Sequence, residues 1–541
     1  MSSYRIPALI VGGGLGGVSA ALALARLGER SIIAEQGGWL GGQLTGQAVP
    51  PDENRWIDEL PPSVSYAELR ERIRAHYRAE YPLTAEAAAA EKLNPGLGRV
   101  SRLCHEPRVS ALAIETMVSP WEAAGLITVL RGVTAIGAER EGDRVRRVHF
   151  QDLAGDAVVV EADVVIDATE LGEVLPLAEI DHVIGAEARS ETGEDHAPDT
   201  ADPLDQQAIS WCAALEFRAG EDHTIARPAD YEHWRDTVDP RWPGSQLSWA
   251  DLDPITRAPR VRPLFAGETG GGGDAVQGDL WHYRRVLAAK NFDDRFPSAD
   301  ITLVNWPQVD YWEQPLLGVD NATAQKAREG ARQLTLSFIH WMQTEAPRAD
   351  GGVGYPELKP RGDVVGSRDG LARDPYIRES RRIRALQTVT EGDIGRTMRG
   401  DGAGSALFDD SVGVGFYRID LHPSTSGRSY VDIDCYPFQI PLGALIPESA
   451  SNVLAANKNI GTTHITNGAY RLHPVEWSIG EAAGVTAASM IAHRSSAADV
   501  RLHRLDEIQR SLTTAGVRLA WPDEVRRAGD PRERDRMMAA R

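Results

Sequence analysis

Cysteine is scarce in this chain of 541 residues: Cys104, Cys212 and Cys435 lie far apart and no C-x-x-C occurs. That pattern argues against a disulfide framework, rules out an active-site dithiol relay, and makes a reducing cytoplasm the expected compartment. Cationic side chains are also in deficit, with 58 Lys and Arg against 78 Asp and Glu and a formal charge of −20. Nucleic acid and anionic membrane reward clustered Lys and Arg, so neither is an expected partner. A membrane-spanning start is disfavoured as well: the first apolar run is broken by Gly12 to Gly17, and no basic region with a cleavage site precedes it. No metal ligand set is assigned. The remaining composition, 42% hydrophobic and 25% charged, is that of an ordinary globular protein large enough for two intimately connected domains.

What is abundant near the start is glycine in a particular order. Ala8-Leu9-Ile10-Val11 reads as a short buried parallel strand, and Gly12, Gly14 and Gly17 follow in G-x-G-x-x-G spacing, with Gly16 inside the same turn. An Ala/Leu-rich helix from Val18 to Leu27 leads to a second strand, Ser31 to Ala34, which closes on Glu35. Gly12 permits the sharp turn, Gly14 lets a diphosphate approach the backbone, and Gly17 brings helix and strand close together. The helix N-terminus offers free N–H groups to the phosphates. Glu35, 18 residues beyond Gly17, is placed to accept the hydroxyls of an adenosine ribose. Dinucleotide binding is the expectation. The glycine-dense loop that follows, from Gln36 through Gly42 and Gln43 to Gln47, suggests backbone running past a flat ligand such as a flavin.

Further along, Ser65–Tyr81 reads as a helix with Leu69, Ile73, Tyr77 and Tyr81 on one stripe; Thr84–Lys92 and Arg108–Ala124 read as two more. Cys104 and His105 sit before the last of these and read as buried residues, with a covalent flavin link as the alternative. From Ile127 the period becomes two, and four short strands (127–130, 133–138, 145–150, 157–161) form an expected antiparallel meander. It feeds a buried strand, Ala162–Asp167, that stops at Ala168-Thr169. Residues 181–430 hold eight of the 13 tryptophans and read as an inserted α+β substrate domain, its indoles serving as core anchors or substrate walls. Gly270–Gly273 reads as a loop or lid. Asp374–Arg382 reads either as a solvated, ion-paired helix start or, through Arg381, as a holder of an anionic group. Val412–His422 alternates like a strand ending on a histidine, a candidate base. Val453–Ala456 is expected to rejoin the parallel sheet, and Gly480–Ala488 to form a small-residue helix whose N-terminus, near Gly480 and Ala483, meets a flavin.

Three motifs, Arg378-Glu379-Ser380-Arg381-Arg382, Ile440-Pro441…Leu445-Ile446-Pro447 and Asn452-x-Leu454-x-Ala456-x-x-x-Ile460, carry a resemblance. With the strand ending at Thr169, they make the chain similar to FAD-dependent oxidoreductases with the glutathione-reductase-type FAD fold, over residues 5–50, 125–172 and 375–490. The resemblance implies an α/β Rossmann-like FAD-binding domain with a central parallel sheet and antiparallel meander. Its expected limits are 1–180 and 431–500, with the substrate domain at 181–430 and a C-terminal helix and charged tail at 501–541. It places Asn457 and Lys458, where the family has Gly-Arg or Gly-Asp, by the ribityl and diphosphate oxygens, and His464 and Arg471 near the flavin face. The expected activity is oxidation of a small alcohol or amine by hydride transfer to FAD. His422 is the expected base, Arg471 or Arg381 the substrate anchor, and oxygen or a separate acceptor the electron sink. A reductase or isomerase fed by NAD(P)H, and a nucleotide-binding module without chemistry, are the alternatives. A homo-oligomer is compatible with the sequence.

Overall fold

A computed structural model describes residues 2–265 and 278–528. Its centre is a seven-stranded sheet. Strand β1 (Ser2–Val11) leads into helix α1 (Leu15–Arg26), and β2 (Ser31–Glu35) returns parallel to β1 with Ala8 opposite Ser31. Helices α2 (Val64–Glu80), α3 (Ala85–Ala89) and α4 (Pro107–Ala123) cross back to β3 (Ile127–Arg131), parallel to β2. Strands β4 (Val133–Glu141) and β5 (Arg144–Asp152) then form an antiparallel pair against β6 (Ala157–Asp167). The far half of β6 lies between β1 and the returning strand Val453–Ala455, parallel to both.

The expected Rossmann-like α/β architecture is therefore present, with two corrections inside it. Residues 127–131 belong to the parallel side of the sheet, because their edge is taken by β2 and not by a hairpin partner. The pieces 157–161 and 162–167 are one 11-residue strand whose two halves pair with different neighbours. Elsewhere the helix from Thr84 stops at Ala89. The 412–422 segment is two strands, Ser411–Gly415 and Ile419–Leu421, since the first pairs with Phe438–Pro441 and the second with Val431–Ile433. Asp374–Arg382 is not helical, and beyond the exposed Asp374 it is largely buried. Pro375 disfavours helix before it, Tyr376 bridges Ser210, and Arg378, Glu379 and Arg382 are buried. Gly270–Gly273 and the end of the charged tail, 529–541, lie outside the described residues.

A second apolar core contains Trp234, Trp249, Trp281, Trp306 and Trp341 and packs on the helix Asn321–Thr344. Between the cores lies a four-stranded sheet, and alternate side chains serve each: Ala214 and Leu303 face the first core, Ala213, Leu215 and Val304 the second. Residues 383–433 contribute Ile383, Val412, Ile419 and Ile433 to the first core.

The expected small-residue helix is the middle of a longer one, His473–His493, lying against α1. A Cβ on Gly480 would stand 2.0 Å from the Gly16 carbonyl oxygen, and one on Gly16 would stand 1.7 Å from that of Ala456. Ser19 Oγ donates to the Trp477 carbonyl at 2.8 Å across the same seam. Gly480→Ala is expected to lower the unfolding free energy by about 2 kcal/mol or more through overpacking. Urea denaturation of the purified variant measures this; an unchanged midpoint would contradict the backbone contact.

Candidate functional site

The C-terminal ends of β1, β2 and β6 open on a cavity of about 150 Å³ lined by Gly12, Gly14, Glu35, Gln36, Gly42 and Thr169 among others. Glu35 Oε2 accepts from the Gly13 N–H at 2.6 Å and Oε1 from the Gly37 N–H at 2.5 Å. Burial pushes its carboxyl up to about 7 against the opposing pull of those two N–H groups. Gly42, with φ +49°, brings its own backbone to Gly14: a Cβ there would lie 3.0 Å from the Gly14 Cα. Below the turn, Thr169 donates through both N–H and hydroxyl to Asp167 Oδ1, at 3.0 and 2.6 Å. Lys458 Nζ pairs with Glu170, and Asn457 Nδ2 donates to the Ala168 carbonyl at 3.2 Å. Gln43 Nε2 donates to Glu476 and to the Arg471 carbonyl, while Gly16 N–H donates to Glu476 Oε1 at 3.1 Å. Gln43 Oε1 and Glu170 Oε1 are buried without a partner among the described residues. Bare backbone, a carboxylate at the tip of β2 and orphaned polar atoms together fit the adenosine diphosphate portion of FAD. Glu35 would hold the ribose and the Gly12–Gly17 turn the diphosphate, while Lys458, buried on Glu170, does not line the cavity.

A larger cavity, about 350 Å³, opens on the other side of the extended segment 374–382. Ile377 lines the first cavity and Arg378, next in the chain, lines the second. His422 is on its wall. The ring Nδ1 meets Asp310 Oδ2 at 2.5 Å, and Nε2 is 3.6 Å from Asp420 Oδ2. Asp310 also accepts from Arg378 Nη2 at 2.9 Å and Ser210 Oγ at 2.5 Å. Burial alone would raise the Asp310 carboxyl, but Arg378 and His422 hold it below its ordinary value. Asp420 is likewise held low against burial by His422 and Arg471. Each ring nitrogen thus faces a carboxylate, Asp310 at Nδ1 and Asp420 at Nε2, and the two fix the imidazole on the cavity wall.

The model of the family described as FAD dependent oxidoreductase matches residues 8–512. The chain belongs to that family. No curated protein matches it. Among solved structures it is similar to p-nitrophenol 4-monooxygenase PnpA from Pseudomonas putida DLL-E4, at 11% identity over 100% of this chain and 93% of that one, with a TM-score of 0.36. It is also similar to the myxobacterial chondrochloren halogenase CndH, at 12% identity over 99% and 89%, TM-score 0.31. A third likeness, to L-proline dehydrogenase from P. horikoshii, has 15% identity over 34% of this chain and 24% of that one, TM-score 0.17; the chain spans about a quarter of that protein. FAD is thus the cofactor of this oxidoreductase, which implies a small-molecule substrate and an electron acceptor. None of the helices among the described residues is long and apolar enough to cross a membrane.

The oxidoreductase does not gather all the sequence-nominated residues. Gly480 and Ala483 line neither cavity; they are buried mid-helix, and Gly480 meets α1. His464 is buried away from both, with Nδ1 on Glu379 Oε1 at 2.8 Å and Nε2 on Arg428. Arg381 donates to the Leu171 carbonyl at 2.9 Å and lines neither cavity. Arg471 stands behind the larger cavity, donating to the Tyr376 hydroxyl and to Asp420 Oδ2 at 3.2 Å. Cys104 and His105 are structural. Burial raises the thiol to about 12 and lowers the imidazole to about 4, and both ring nitrogens are engaged, by the Leu103 carbonyl at 2.8 Å and by Ser110 Oγ. Sequence reasoning missed Asp310 and Glu476, whose partners are remote along the chain, and Asp420, which sits two residues from His422 and is held by the distant Arg471.

Gly14→Val is expected to yield a folded but colourless protein, because a branched side chain fills the diphosphate's approach; visible absorbance equal to wild type would refute the assignment. Asp167 supplies a second prediction. Burial raises its carboxyl to about 7, against the Thr169 bonds that lower it. The neutral form therefore favours the fold: its contribution is complete below about pH 4 and is lost as pH rises through about 7. In flavin-free protein, Asp167→Asn keeps the neutral state at every pH, so its melting temperature gains on wild type from about pH 4 to about pH 8. A constant difference across that range would refute the burial effect.

Proposed function

We propose that this FAD-dependent oxidoreductase oxidises a small alcohol or amine held in the 350 Å³ cavity, with His422 as the base. The Asp310–His422 contact on that cavity's wall carries the reading. Bound FAD would supply the acceptor for the hydride that the substrate C–H gives up. His422 Nε2 takes the proton from the substrate hydroxyl or amine, so that C–H and O–H (or N–H) bonds break as a C=O or C=N bond forms. Asp310 keeps the ring oriented and stabilises the imidazolium that results. Arg378 and Ser210 hold Asp310 in turn, and Arg471 fixes Asp420 on the far side of the ring. Electrons leave to oxygen or a separate acceptor.

Donor screening by flavin bleaching under argon tests this. An alcohol or amine is expected to bleach the wild-type holoenzyme, and His422→Asn to slow bleaching by about a hundredfold at unchanged flavin content. Rapid bleaching by NADPH would instead support a reductase, and flavin that stays oxidised with every donor a module without chemistry; either result sinks the proposal.

A further inference from the structure

The larger cavity has a charge pattern that the oxidation reading leaves unused. We propose that its substrate bears an oxyanion, a carboxylate or a phosphate, and that Arg284 receives it; the inference rests on that cavity being the substrate site. Arg99, Arg260, Arg262, Arg284, Arg378 and Arg418 all line it, against three lining carboxylates, Asp279, Asp420 and Asp432. In a chain of net charge −20 the lining itself is rich in guanidinium, and what it can offer an anion depends on which of these groups the acids behind the wall leave unbonded.

Several of these guanidiniums are already occupied. Arg260 and Arg262 share Asp251, at 2.5 and 2.8 Å, Arg378 holds Asp310 at 2.9 Å, and Arg418 pairs with Asp432. Arg284 differs. Its nearest carboxylate among the described residues is Asp52 Oδ1 at 3.8 Å, its side chain is only 11% exposed, and Nε and Nη1 are buried without a hydrogen-bond partner. Three neighbours on the same wall share the deficit: Asn305 Nδ2, Trp306 Nε1 and the Tyr430 hydroxyl are buried and unpartnered. The Leu303 N–H donates to the Arg284 carbonyl at 3.1 Å, which brings Asn305 and Trp306, two and three residues on, alongside. Each of these atoms can donate, and none has an acceptor among the described residues. Leaving a buried donor unmet is costly, and a cation in that position most of all. An oxyanion supplies the acceptor that the Arg284 guanidinium lacks, and guanidinium binds one through two parallel N–H bonds. A cavity of about 350 Å³ accommodates a small molecule spanning Arg284 and His422.

Calorimetric titration of the wild-type holoenzyme at low ionic strength uses three probes: succinate, inorganic phosphate, and butane-1,4-diol as the uncharged counterpart of succinate. Binding of either anion without the diol is expected, and which anion binds separates carboxylate from phosphate recognition. Arg284→Gln is expected to weaken that binding at least about tenfold and Arg284→Lys less, because Lys keeps the charge and loses the fork. Flavin content and melting temperature confirm that both variants are folded. Wild type binding neither anion, or Arg284→Gln binding as tightly as wild type, would overturn the proposal. Anion binding that needs Arg284, with no donor bleaching the flavin, would sink the oxidase reading and leave the anion site standing. Bleaching by an uncharged donor at the same rate in wild type and Arg284→Gln would do the reverse.

Discussion

Everything in this molecule depends on main chain lying directly against main chain where β1 hands over to α1. Gly16 sits under the Ala456 carbonyl and Gly480 sits on Gly16, so at these two glycines the first helix meets the turn after the last strand and the long C-terminal helix backbone to backbone. That seam joins segments more than 400 residues apart in the chain and adjoins the turn whose Gly12 and Gly14 line the nucleotide cavity. Close approach has an energetic logic: small residues gain dispersion contact over a long interface, and the alternative, a methyl group at either glycine, has nowhere to go.

The second organising feature is charge taken deep into the protein along the segment 374–382. Glu379 is held down at about 2 despite its burial, by His464, by Arg382 and by the Gln207 N–H. Arg382 also reaches Glu187 and the Gly185 carbonyl. Such buried pairs recover little net stability over apolar packing, while losing one partner strands a charge. Their value here is positional. Alternating along one extended strand, Ile377 and Arg378 face the two cavities while Glu379 and Arg382 lock the strand from behind. The same segment therefore keeps the nucleotide side and the His422 side in fixed relation.

The nucleotide cavity itself is held at an energetic cost. Glu35, Asp167 and Glu476 are all raised to about 7 by burial. Each prefers to be neutral where it stands, so the fold spends stability to keep acids beside a glycine turn. Ligand-binding sites commonly carry such unfavourable local terms because the groups answer to the ligand and not to the apo fold.

Local segments were legible in the sequence wherever one short stretch determined its own structure. The β1–α1–β2 unit, helix 64–80 and the returning strand 453–455 follow from period and glycine spacing. Asp374–Arg382 resisted, because its charges look solvated until the partners that bury them, Asp310, Glu187 and His464, come from elsewhere in the chain. His422 could be nominated from its place at a strand end, but Asp310, 112 residues away, could not. Arg284 carried no local signal at all; what distinguishes it is that Nε and Nη1 have no hydrogen-bond partner among the described residues, which only a folded cavity reveals. Sequence by itself determined the dinucleotide turn, since backbone freedom and period are properties of neighbouring residues. Tertiary structure decided the chemistry of the larger cavity, since Coulombic pairing and desolvation depend on distance in space.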